Sequence, residues 1–502
     1  DRNISQGLKD KPAFIDPLRT ITYGDLQKAS CQVASGLVSL GLRRETRIAM
    51  LMLDTVDWPI VFFGAVRAGI IPVALNTLLV SEQYKFMLND SRAEVLFVST
   101  RLLDVVAPVL DSLTSLKKII VVGENTTDHM SLDDLLADQS SKFETVETLP
   151  DDVAFWLYSS GSTGQPKGTP HVQSSMAFTA KTYGVNILGI QRDDICFSAA
   201  KFFFAYGLGN AISFPMSVGA TTILLPTRPT PQDVFRTLKE HRATLFFGVP
   251  TLFAAILADE ACTSDESLSD LRQSGLRLCA SAGEALPADI GHKWAEKFGI
   301  DIIDGIGSTE MLHIFLSNRP GEIVYGTSGR EFDGYKLRLE GEDGSDAKDG
   351  EIGELLVAGD SAANGYWNQR EKTRHTFQGI WTRTGDKYTR DEKGYYHYCG
   401  RTDDMFKVSG IWVSPFEVES ALVSHPAVLE AAVVAHADED ELIKPKAFIV
   451  LNQDVSNTDL TTELQELVKT KIGKWKYPRW IEFVDDLPKT ATGKIQRFKL
   501  RG

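Results

Sequence analysis

The stretch Tyr158-Ser-Ser-Gly-Ser-Thr-Gly-Gln-Pro-Lys-Gly168 follows directly after an apolar run over residues 153–157. Glycine and hydroxyl-bearing residues surround one lysine, and such a loop after a strand exposes consecutive backbone N–H groups that cradle phosphate. The loop differs from the P-loop, which ends in Gly-Lys-Ser/Thr, because Pro166 precedes Lys167 here. Since proline obstructs a helix starting there, the pattern predicts a loop that closes over a nucleotide. The alternative interpretation is a flexible linker of glycine and serine.

Length and composition limit the class of protein. The 502 residues exceed what one core holds and indicate roughly two to four domains. A net charge of −14 argues against a nucleic-acid binder, which normally presents a basic face. The 5 cysteines include no C-x-x-C pair, which favours a reducing compartment over a zinc site or disulfides. The longest apolar stretch, residues 60–75, contains Arg67, three glycine or proline residues and too few residues for a bilayer. We therefore expect a cytoplasmic protein without a membrane segment.

The order of predicted elements indicates an α/β fold. Helical and strand patterns alternate over about the first 330 residues, which is typical of parallel sheets wrapped by helices. Short strands and turn-rich pieces then predict a small antiparallel β subdomain at about residues 330–400. A compact α+β pattern follows. We place the domain boundary within residues 401–404, which gives a large N-terminal domain over 1–402 and a small C-terminal domain over 403–502.

A second motif, Asp304-Gly-Ile-Gly-Ser-Thr-Glu310, reads as a glycine-rich turn after a strand. Such a turn lets the backbone lie flat against an aromatic base. Thr309 offers a hydrogen-bond donor there, and Glu310 offers a hard oxygen ligand for Mg²⁺. A turn with a solvated glutamate is the alternative.

Three further motifs carry charge on short glycine-bearing segments. In Trp381-Thr-Arg-Thr-Gly-Asp386, an aspartate set by a tight turn would accept the hydroxyls of a ribose, or form an ordinary Asx turn. Arg401 and Lys407 lie within residues 400–410, where a second polyanion contact or a linker would fit equally. Lys494, in a segment that begins at Pro488, would reach a neighbouring cleft or remain a solvated lysine.

Taken together and in this order, the five motifs resemble those of the adenylate-forming superfamily over nearly the whole chain. That superfamily contains acyl- and aryl-CoA synthetases, peptide-synthetase adenylation domains and luciferases. Two segments are most similar to benzoate-CoA ligases: Ala200-Lys-Phe-Phe-Phe-Ala-Tyr-Gly-Leu-Gly-Asn210 and Ile306-Gly-Ser-Thr-Glu-Met-Leu-His-Ile-Phe315.

The resemblance implies sites for ATP and Mg²⁺. Thr309 would contact the α-phosphate, Glu310 would bind the metal, and Lys494 would bridge the substrate carboxylate and the α-phosphate. Asp386 and Arg401 would hold the ribose. The loop that holds the β- and γ-phosphates would consist of Ser159, Ser160, Gly161, Ser162, Thr163, Gly164 and Lys167. The adenine site would be walled by Gly283, Glu284, Ala285, Asp304, Gly305, Ile306 and Gly307, and Ser308 would also bind the nucleotide.

The resemblance also implies an aromatic acid and coenzyme A as substrates. The acid would occupy a flat slot lined by Phe204, Ala205, Tyr206, Gly209, Gly305, Ile306, Gly307, His313 and Ile314. The plain alternative is that residues 202–204 are core and that His313 lies in a satisfied interior. CoA would pass Gly410, and Trp475 and Lys476 would contact its nucleotide end. Asp403 matches the hinge about which a mobile C-terminal domain would swing.

The expected reaction is activation of benzoate, or of 4-hydroxybenzoate, to aryl-AMP with release of pyrophosphate, then transfer to CoA. No nucleophilic serine or cysteine is required. Transfer to a carrier protein's phosphopantetheine and a non-catalytic nucleotide-binding protein remain alternatives. A monomer and a homodimer are both compatible with the sequence.

Overall fold

A computed structural model of the chain describes residues 1–125, 127–159, 165–408, 411–439, 442–452, 460–489 and 495–501. Among these residues, no helix combines the length and the apolar character that crossing a membrane requires. Part of the predicted site lies outside the described residues: Ser160, Gly161, Ser162, Thr163, Gly164, Gly410 and Lys494.

Two large sheets dominate the N-terminal part, and each is parallel in its centre. One has, in spatial order, the strands Arg330–Glu331, Ile314–Ser317, Ile302–Gly307, Leu278–Ser281, Leu245–Gly248, Ile195–Ser198, Thr221–Ile223, Pro12–Ile15 and Thr20–Thr22. The other has Met130–Ser131, Lys118–Val122, Val95–Ser99, Arg47–Leu51, Ile71–Ala74, Val153–Ser159 and Lys167–Val172. The prediction of parallel sheets covered by helices is confirmed.

Each large sheet contains an antiparallel strand pair towards one side. Val153–Ser159 pairs antiparallel with Lys167–Val172, and Ile302–Gly307 pairs antiparallel with Ile314–Ser317. Both hairpins contain a predicted site motif in their connection. The central strands read as continuous apolar runs, whereas Lys167–Val172, which is the edge strand of the second sheet, is more polar.

Helices pack on the sheets through apolar faces. In Tyr23–Ser39, Thr22 and Asp25 form a capping box, and Leu26, Val33 and Leu37 are buried at helical spacing, as predicted. The α-helices are Arg2–Ser5, Tyr23–Ser39, Asp57–Arg67, Ser81–Ser91, Leu103–Val106, Leu132–Leu136, Gln173–Thr179, Ala205–Leu208, Phe214–Val218, Pro231–His241, Pro250–Ala258, Glu260–Thr263, Asp265–Ser274, Ala288–Phe298, Arg370–Thr376, Pro415–Val423 and Leu460–Ile472.

Two smaller bodies follow the large sheets. The predicted antiparallel β subdomain is confirmed and contains Tyr335–Glu340, Gly353–Gly359, Phe377–Gln378, Trp381–Arg390 and Tyr396–Arg401. The C-terminal part is α+β, as predicted, with the strands Phe406–Val408, Ile411–Val413, Val428–Ala437, Ile443–Leu451 and Trp480–Phe483. The division at residues 402 and 403 and the mobility of the C-terminal part stay predictions.

Two predicted turns are strands in the structure. Residues 304–307 belong to the strand Ile302–Gly307, so the connection to the next strand is confined to residues 308–313. Glycine permits this because a Cβ on Gly307 would lie 2.6 Å from the carbonyl oxygen of His313. Asp386 likewise lies inside Trp381–Arg390, where Gly385 has a φ of 71° beside irregular pairing. The prediction of a glycine-rich turn was therefore wrong for residues 304–307 and 381–386. Gly307 allows two strands to pair closely, and Gly385 lies where the strand register shifts.

The ends of the segment that contains Lys494 are held together. Lys489 and Ile495 form a β-bridge, and the backbone N–H of Gln496 donates to the carbonyl oxygen of Pro488 at 2.7 Å. Beyond this bridge, the guanidinium of Arg497 donates two hydrogen bonds to Glu419, at 2.9 and 2.7 Å. Glu419 also accepts from the backbone N–H of Val433 at 2.7 Å. A buried carboxylate on the helix Pro415–Val423 therefore anchors the chain on one side of residues 490–494.

Replacing Glu419 by alanine should strongly destabilise the C-terminal part. The change removes both hydrogen bonds of the Arg497 guanidinium, which keeps only the more distant Asp404 at 3.6 Å among the described residues, and the acceptor of a buried N–H, which we expect to cost about 3 kcal/mol. Hydrogen exchange of the strand Val428–Ala437 would measure the loss of protection.

Glu466→Ala is the matched control, because Glu466 pairs with Lys469 on the exposed face of its helix. Exposed pairs of this kind contribute little, so protection should stay at the wild-type level. Equal losses in the two variants would contradict the anchoring role of Glu419.

Candidate active site

The predicted phosphate loop connects the two strands of an antiparallel hairpin. Ser159 ends the first strand, Lys167 begins the second, and the two residues are opposite partners in the register. A strand follows Lys167 rather than a helix, in agreement with the difference from a P-loop. The hydroxyl of Ser159 is buried and has no hydrogen-bond partner among the described residues. A buried hydroxyl at the base of the loop is suited to a polar ligand.

Lys167 and Glu310, predicted from separate motifs, are neighbours in the structure. The ammonium nitrogen of Lys167 lies 3.6 Å from Oε1 of Glu310, and both side chains are largely buried. The hydroxyl of Tyr366 lies 2.7 Å from the same Oε1 and 3.0 Å from the Lys167 nitrogen. Burial alone would raise the pKa of Glu310, but the nearby Lys167 charge and the Tyr366 hydroxyl hold it below its ordinary value. Burial lowers the pKa of Lys167 although Glu310 opposes the shift.

The sequence interpretation missed Tyr366 and His171. His171 is fully buried, and its Nε2 lies 2.8 Å from the carbonyl oxygen of Thr309. A carbonyl only accepts, so Nε2 carries the proton, and burial lowers the pKa of His171 to about 4. Strand periodicity could have revealed His171, because Lys167 and His171 are four residues apart and share a face. Tyr366 comes from a distant segment and has no such signal.

Asp386 and Arg401 lie opposite each other on neighbouring strands of the β subdomain. Nη1 of Arg401 donates to Oδ1 of Asp386 and to the carbonyl oxygen of Thr384, each at 3.0 Å. The Asp386 charge raises the pKa of Arg401. The pair predicted to hold a ribose is thus assembled, with the carboxylate fixed by its partner.

The predicted adenine walls meet at one edge of the first large sheet. Ser281 and Asp304 are register partners on parallel strands, so the segment that follows Ser281 lies beside Asp304. That segment contains Gly283, with a φ of 98°, followed by Glu284 and Ala285. Asp304 is buried, its Oδ1 has no partner among the described residues, and burial raises its pKa well above the ordinary value. An orphaned buried oxygen at a carboxyl edge is suited to a nucleotide base.

Tyr206 and His313 form the centre of the predicted acid slot. Nε2 of His313 lies 3.3 Å from the carbonyl oxygen of Tyr206 and 3.2 Å from Oδ1 of Asn210. Both atoms accept, so Nε2 is protonated and Nδ1 keeps a lone pair, for which no described residue is a donor. Burial lowers the pKa of His313 to about 3, so the ring is neutral. The Tyr206 hydroxyl donates to the carbonyl oxygen of Ala280 at 3.0 Å.

Close packing explains the small residues of this slot. Gly209 begins a π-helical turn, Gly209–Ser213, which directs Asn210 at His313. A Cβ on Gly209 would lie 2.2 Å from Cδ2 of His313. Irregular helical turns of this type are frequent at functional sites. Around them, Ala205 and Ile314 are buried, and Phe204 is half-buried.

Other residues near the predicted motifs are in the core, exposed or paired within the C-terminal part. Phe202 is fully buried in a core cluster, as one alternative for residues 202–204 predicted. The indole of Trp475 is 58% exposed, and Lys476 is paired with Glu417 within the C-terminal part. The Asp403 charge contributes to the raised pKa of Arg401. The roles of Trp475 and Lys476 in binding CoA and of Asp403 as a hinge stay predictions.

The residues present fit a magnesium ion that would be held mainly by the phosphate oxygens of a bound nucleotide. Among the described residues, no group of three histidine, cysteine or acidic side chains could hold a metal. Glu310 presents one ionised carboxylate beside the phosphate strand. Mg²⁺ bound with a nucleotide requires only one or two protein carboxylates, because phosphate oxygens and water complete its octahedron. Glu310 is the residue that would hold it.

The fold and this site define a nucleotide-binding enzyme in which Lys167, from one large sheet, meets Glu310, which follows a strand of the other. The chain belongs to the AMP-binding enzyme family, which matches residues 2–367, and the C-terminal domain of that family matches residues 417–494. The predicted resemblance to adenylate-forming enzymes is confirmed.

Relatives match along the full length. The chain is 55% identical over 503 residues to 4-hydroxybenzoate--CoA/benzoate--CoA ligase of Rhodopseudomonas palustris, covering 100% of this chain and 92% of the relative. A crystal structure of a benzoate CoA ligase from Burkholderia xenovorans LB400 is similar with a TM-score of 0.91 and 47% identity, over 100% of this chain and 98% of that one. The anthranilate CoA ligase AuaEII in complex with anthranoyl-AMP gives a TM-score of 0.95 and 43% identity, over 99% and 95% of the two chains.

Replacing Gly209 by alanine should impair binding of the acid. The new methyl group overlaps the His313 ring, which has to move from its place in the predicted slot. We expect the KM for the acid to rise by about tenfold or more, with the KM for ATP little changed. Gly341→Ala is the control, because Gly341 lies in an exposed turn and the nearest atom to its Cβ would be 3.3 Å away. A wild-type KM for the acid in Gly209→Ala would exclude this packing.

Replacing His313 by glutamine should reduce the acid sensitivity of the fold. The native pKa of about 3 lies below the ordinary 6.5, so below 6.5 the unfolded chain binds a proton that the native chain does not. The free energy of unfolding therefore decreases as the pH is lowered from 6.5 towards 3, by up to about 1.4 kcal/mol per pH unit for this histidine. Denaturant unfolding at pH about 7 and about 5 would measure the slope. An unchanged slope in His313→Gln would show that His313 does not remain neutral.

Proposed function

We propose that this protein is an AMP-forming ligase that joins benzoate, or a ring-hydroxylated benzoate such as 4-hydroxybenzoate, to coenzyme A. The observation that carries the proposal is the full-length identity of 55% to a ligase for these two acids. The buried His313 supports it, because its ring is neutral and its Nδ1, which has no donor among the described residues, offers one uncharged acceptor.

In the first step, the carboxylate oxygen of the acid attacks the α-phosphorus of ATP, and the bond to the β,γ-pyrophosphate breaks. Two anions have to approach each other, so the site must supply positive charge. Lys167, with residues 159–164, binds the leaving phosphates. Thr309 contacts the α-phosphate, and Asp386 and Arg401 hold the ribose. Lys494 bridges the carboxylate and the α-phosphate.

Mg²⁺ held by Glu310 supplies neutralisation of the phosphate charge. Glu310 is prepared for this role, because its pKa is held below the ordinary value and its carboxylate is ionised. The neutral His171 fixes the neighbouring Thr309 carbonyl without adding charge to the cleft.

In the second step, the thiolate of CoA attacks the carbonyl carbon of aryl-AMP, and AMP leaves with the electrons of the C–O bond. Lys494 has to withdraw before the thiol enters, which a rotation of residues 403–502 about Asp403 would achieve. CoA would pass Gly410, with Trp475 and Lys476 at its nucleotide end. The scattered cysteines fit a reducing compartment, and we propose the cytoplasm.

The proposal is tested by supplying purified protein with ATP, Mg²⁺ and a panel of acids. We expect acid-dependent exchange of pyrophosphate into ATP with benzoate and 4-hydroxybenzoate, and little exchange with short fatty acids, which leave the aromatic slot unfilled. 2-Aminobenzoate belongs in the panel, because the Nδ1 lone pair of His313 would accept from an amino group. Addition of CoA should give the aryl thioester and AMP.

Lys494→Ala separates the half-reactions. The variant should lose exchange by about a hundredfold or more, because its charge acts only in the first step, while thioester formation from supplied aryl-AMP is retained. Exchange without any thioester in the wild type would favour transfer to a carrier protein. Absence of acid-dependent exchange in the wild type would indicate a non-catalytic nucleotide-binding protein.

A further inference from the structure

Residues 360–367, which we call the strap, connect two of the nucleotide motifs. The strap leaves the strand Gly353–Gly359 of the β subdomain. The backbone N–H of Ala363 donates to the carbonyl oxygen of Glu310 at 2.8 Å, and that of Trp367 donates to the carbonyl oxygen of Gly168 at 2.8 Å. The strap is therefore bonded both to the turn that carries Glu310 and to the strand that begins with Lys167.

Packing fixes the strap in this place. The indole N–H of Trp367 donates to the carbonyl oxygen of Asp90 at 2.9 Å, and its ring packs on Trp156 with centroids 4.8 Å apart. The backbone N–H of Tyr366 donates to the hydroxyl of Thr373 at 2.9 Å. Tyr366 is thus held on both sides, and its ring has a defined position above the Lys167 ammonium, 4.2 Å from the centroid.

The chemistry of the three groups fixes the direction of both hydrogen bonds at Tyr366. An ionised carboxylate only accepts and an ammonium only donates. The Tyr366 hydroxyl consequently donates its one proton to Oε1 of Glu310 and accepts from Lys167.

We propose that Tyr366 is a positioning residue of the adenylation site, which holds the Glu310 carboxylate through Oε1 in the orientation in which it would receive the cation that accompanies ATP. This inference rests on the proposed function. Before ATP binds, the hydroxyl also holds Lys167 within 3.6 Å of Glu310, so each buried charge has a partner. When phosphate takes over Lys167, the hydroxyl continues to orient the carboxylate. A partner that orients a metal-binding carboxylate typically changes metal affinity by about tenfold to a hundredfold.

Tyr366→Phe removes the hydroxyl and keeps the ring. Calorimetric titration of the full-length variant with ATP should show a Kd raised about tenfold at limiting Mg²⁺, and a higher Mg²⁺ concentration for half-maximal binding. The KM for benzoate and the rate of thioester formation from supplied benzoyl-AMP should stay at wild-type values, because neither requires the metal carboxylate.

Tyr325→Phe is the matched control. Its hydroxyl also donates to a carboxylate, that of Asp301 at 3.1 Å, and accepts from the backbone N–H of Ile302 at 3.3 Å. These contacts lie at the start of the strand Ile302–Gly307, whereas Glu310 follows its end. Wild-type ATP affinity and Mg²⁺ dependence in Tyr366→Phe would overturn the proposal. Equal losses in both variants, together with equal losses of thermal stability, would also overturn it, because they indicate a structural role alone. A wild-type protein without acid-dependent exchange would instead overturn the proposed function.

Discussion

A buried ammonium and a buried carboxylate, Lys167 and Glu310, lie 3.6 Å apart, and the proposed chemistry depends on their being exchangeable partners. Each charge loses hydration in the cleft, so neither is stable there alone. The ion pair satisfies both in the free protein. A triphosphate with its metal would offer each residue a new partner of the same sign as the old one, with phosphate oxygens replacing Glu310 beside Lys167 and a cation replacing Lys167 beside Glu310. Binding thus replaces one compensated arrangement by another and leaves no buried charge unpaired.

Neutral groups position these charges without competing with them. His171 and His313 are buried and have pKa values of about 4 and about 3, so near neutral pH each acts as an uncharged donor through Nε2. An imidazolium in either place would attract phosphate or carboxylate to the wrong atom. Two carbonyl acceptors, of Thr309 and Tyr206, fix the tautomers. Neither histidine therefore adds positive charge to that of Lys167 and Arg401, which the proposed reaction uses.

The sequence was sufficient to predict many of the secondary-structure elements and to select candidate polar residues, but not to predict which other side chains contact those residues. Lys167, Glu310 and Asp386 lie in short motifs that each allowed a plain alternative, a linker, a solvated glutamate or an Asx turn, and only the order of the motifs together favoured a nucleotide site. Tyr366 escaped because its role depends on a contact across 56 residues, and nothing in its own neighbourhood indicates that contact. The glycines of residues 304–310 were taken for a turn, because sequence shows conformational freedom but not the neighbouring strand that requires it.

The two proposed lysines differ in how they are held, and the order of the reaction explains why. Lys167 begins a strand of a large sheet, so its position is fixed relative to the phosphates throughout. Lys494 belongs to the C-terminal part, where the β-bridge between Lys489 and Ile495 and the pair of Arg497 with Glu419 hold the flanking chain. In the proposed reaction, pyrophosphate needs the charge of Lys167 until it leaves. The α-phosphate, in contrast, has to lose its contact with Lys494 before a thiol can reach the carbonyl carbon. A fixed cation suits the first requirement, and a cation on a separable body suits the second.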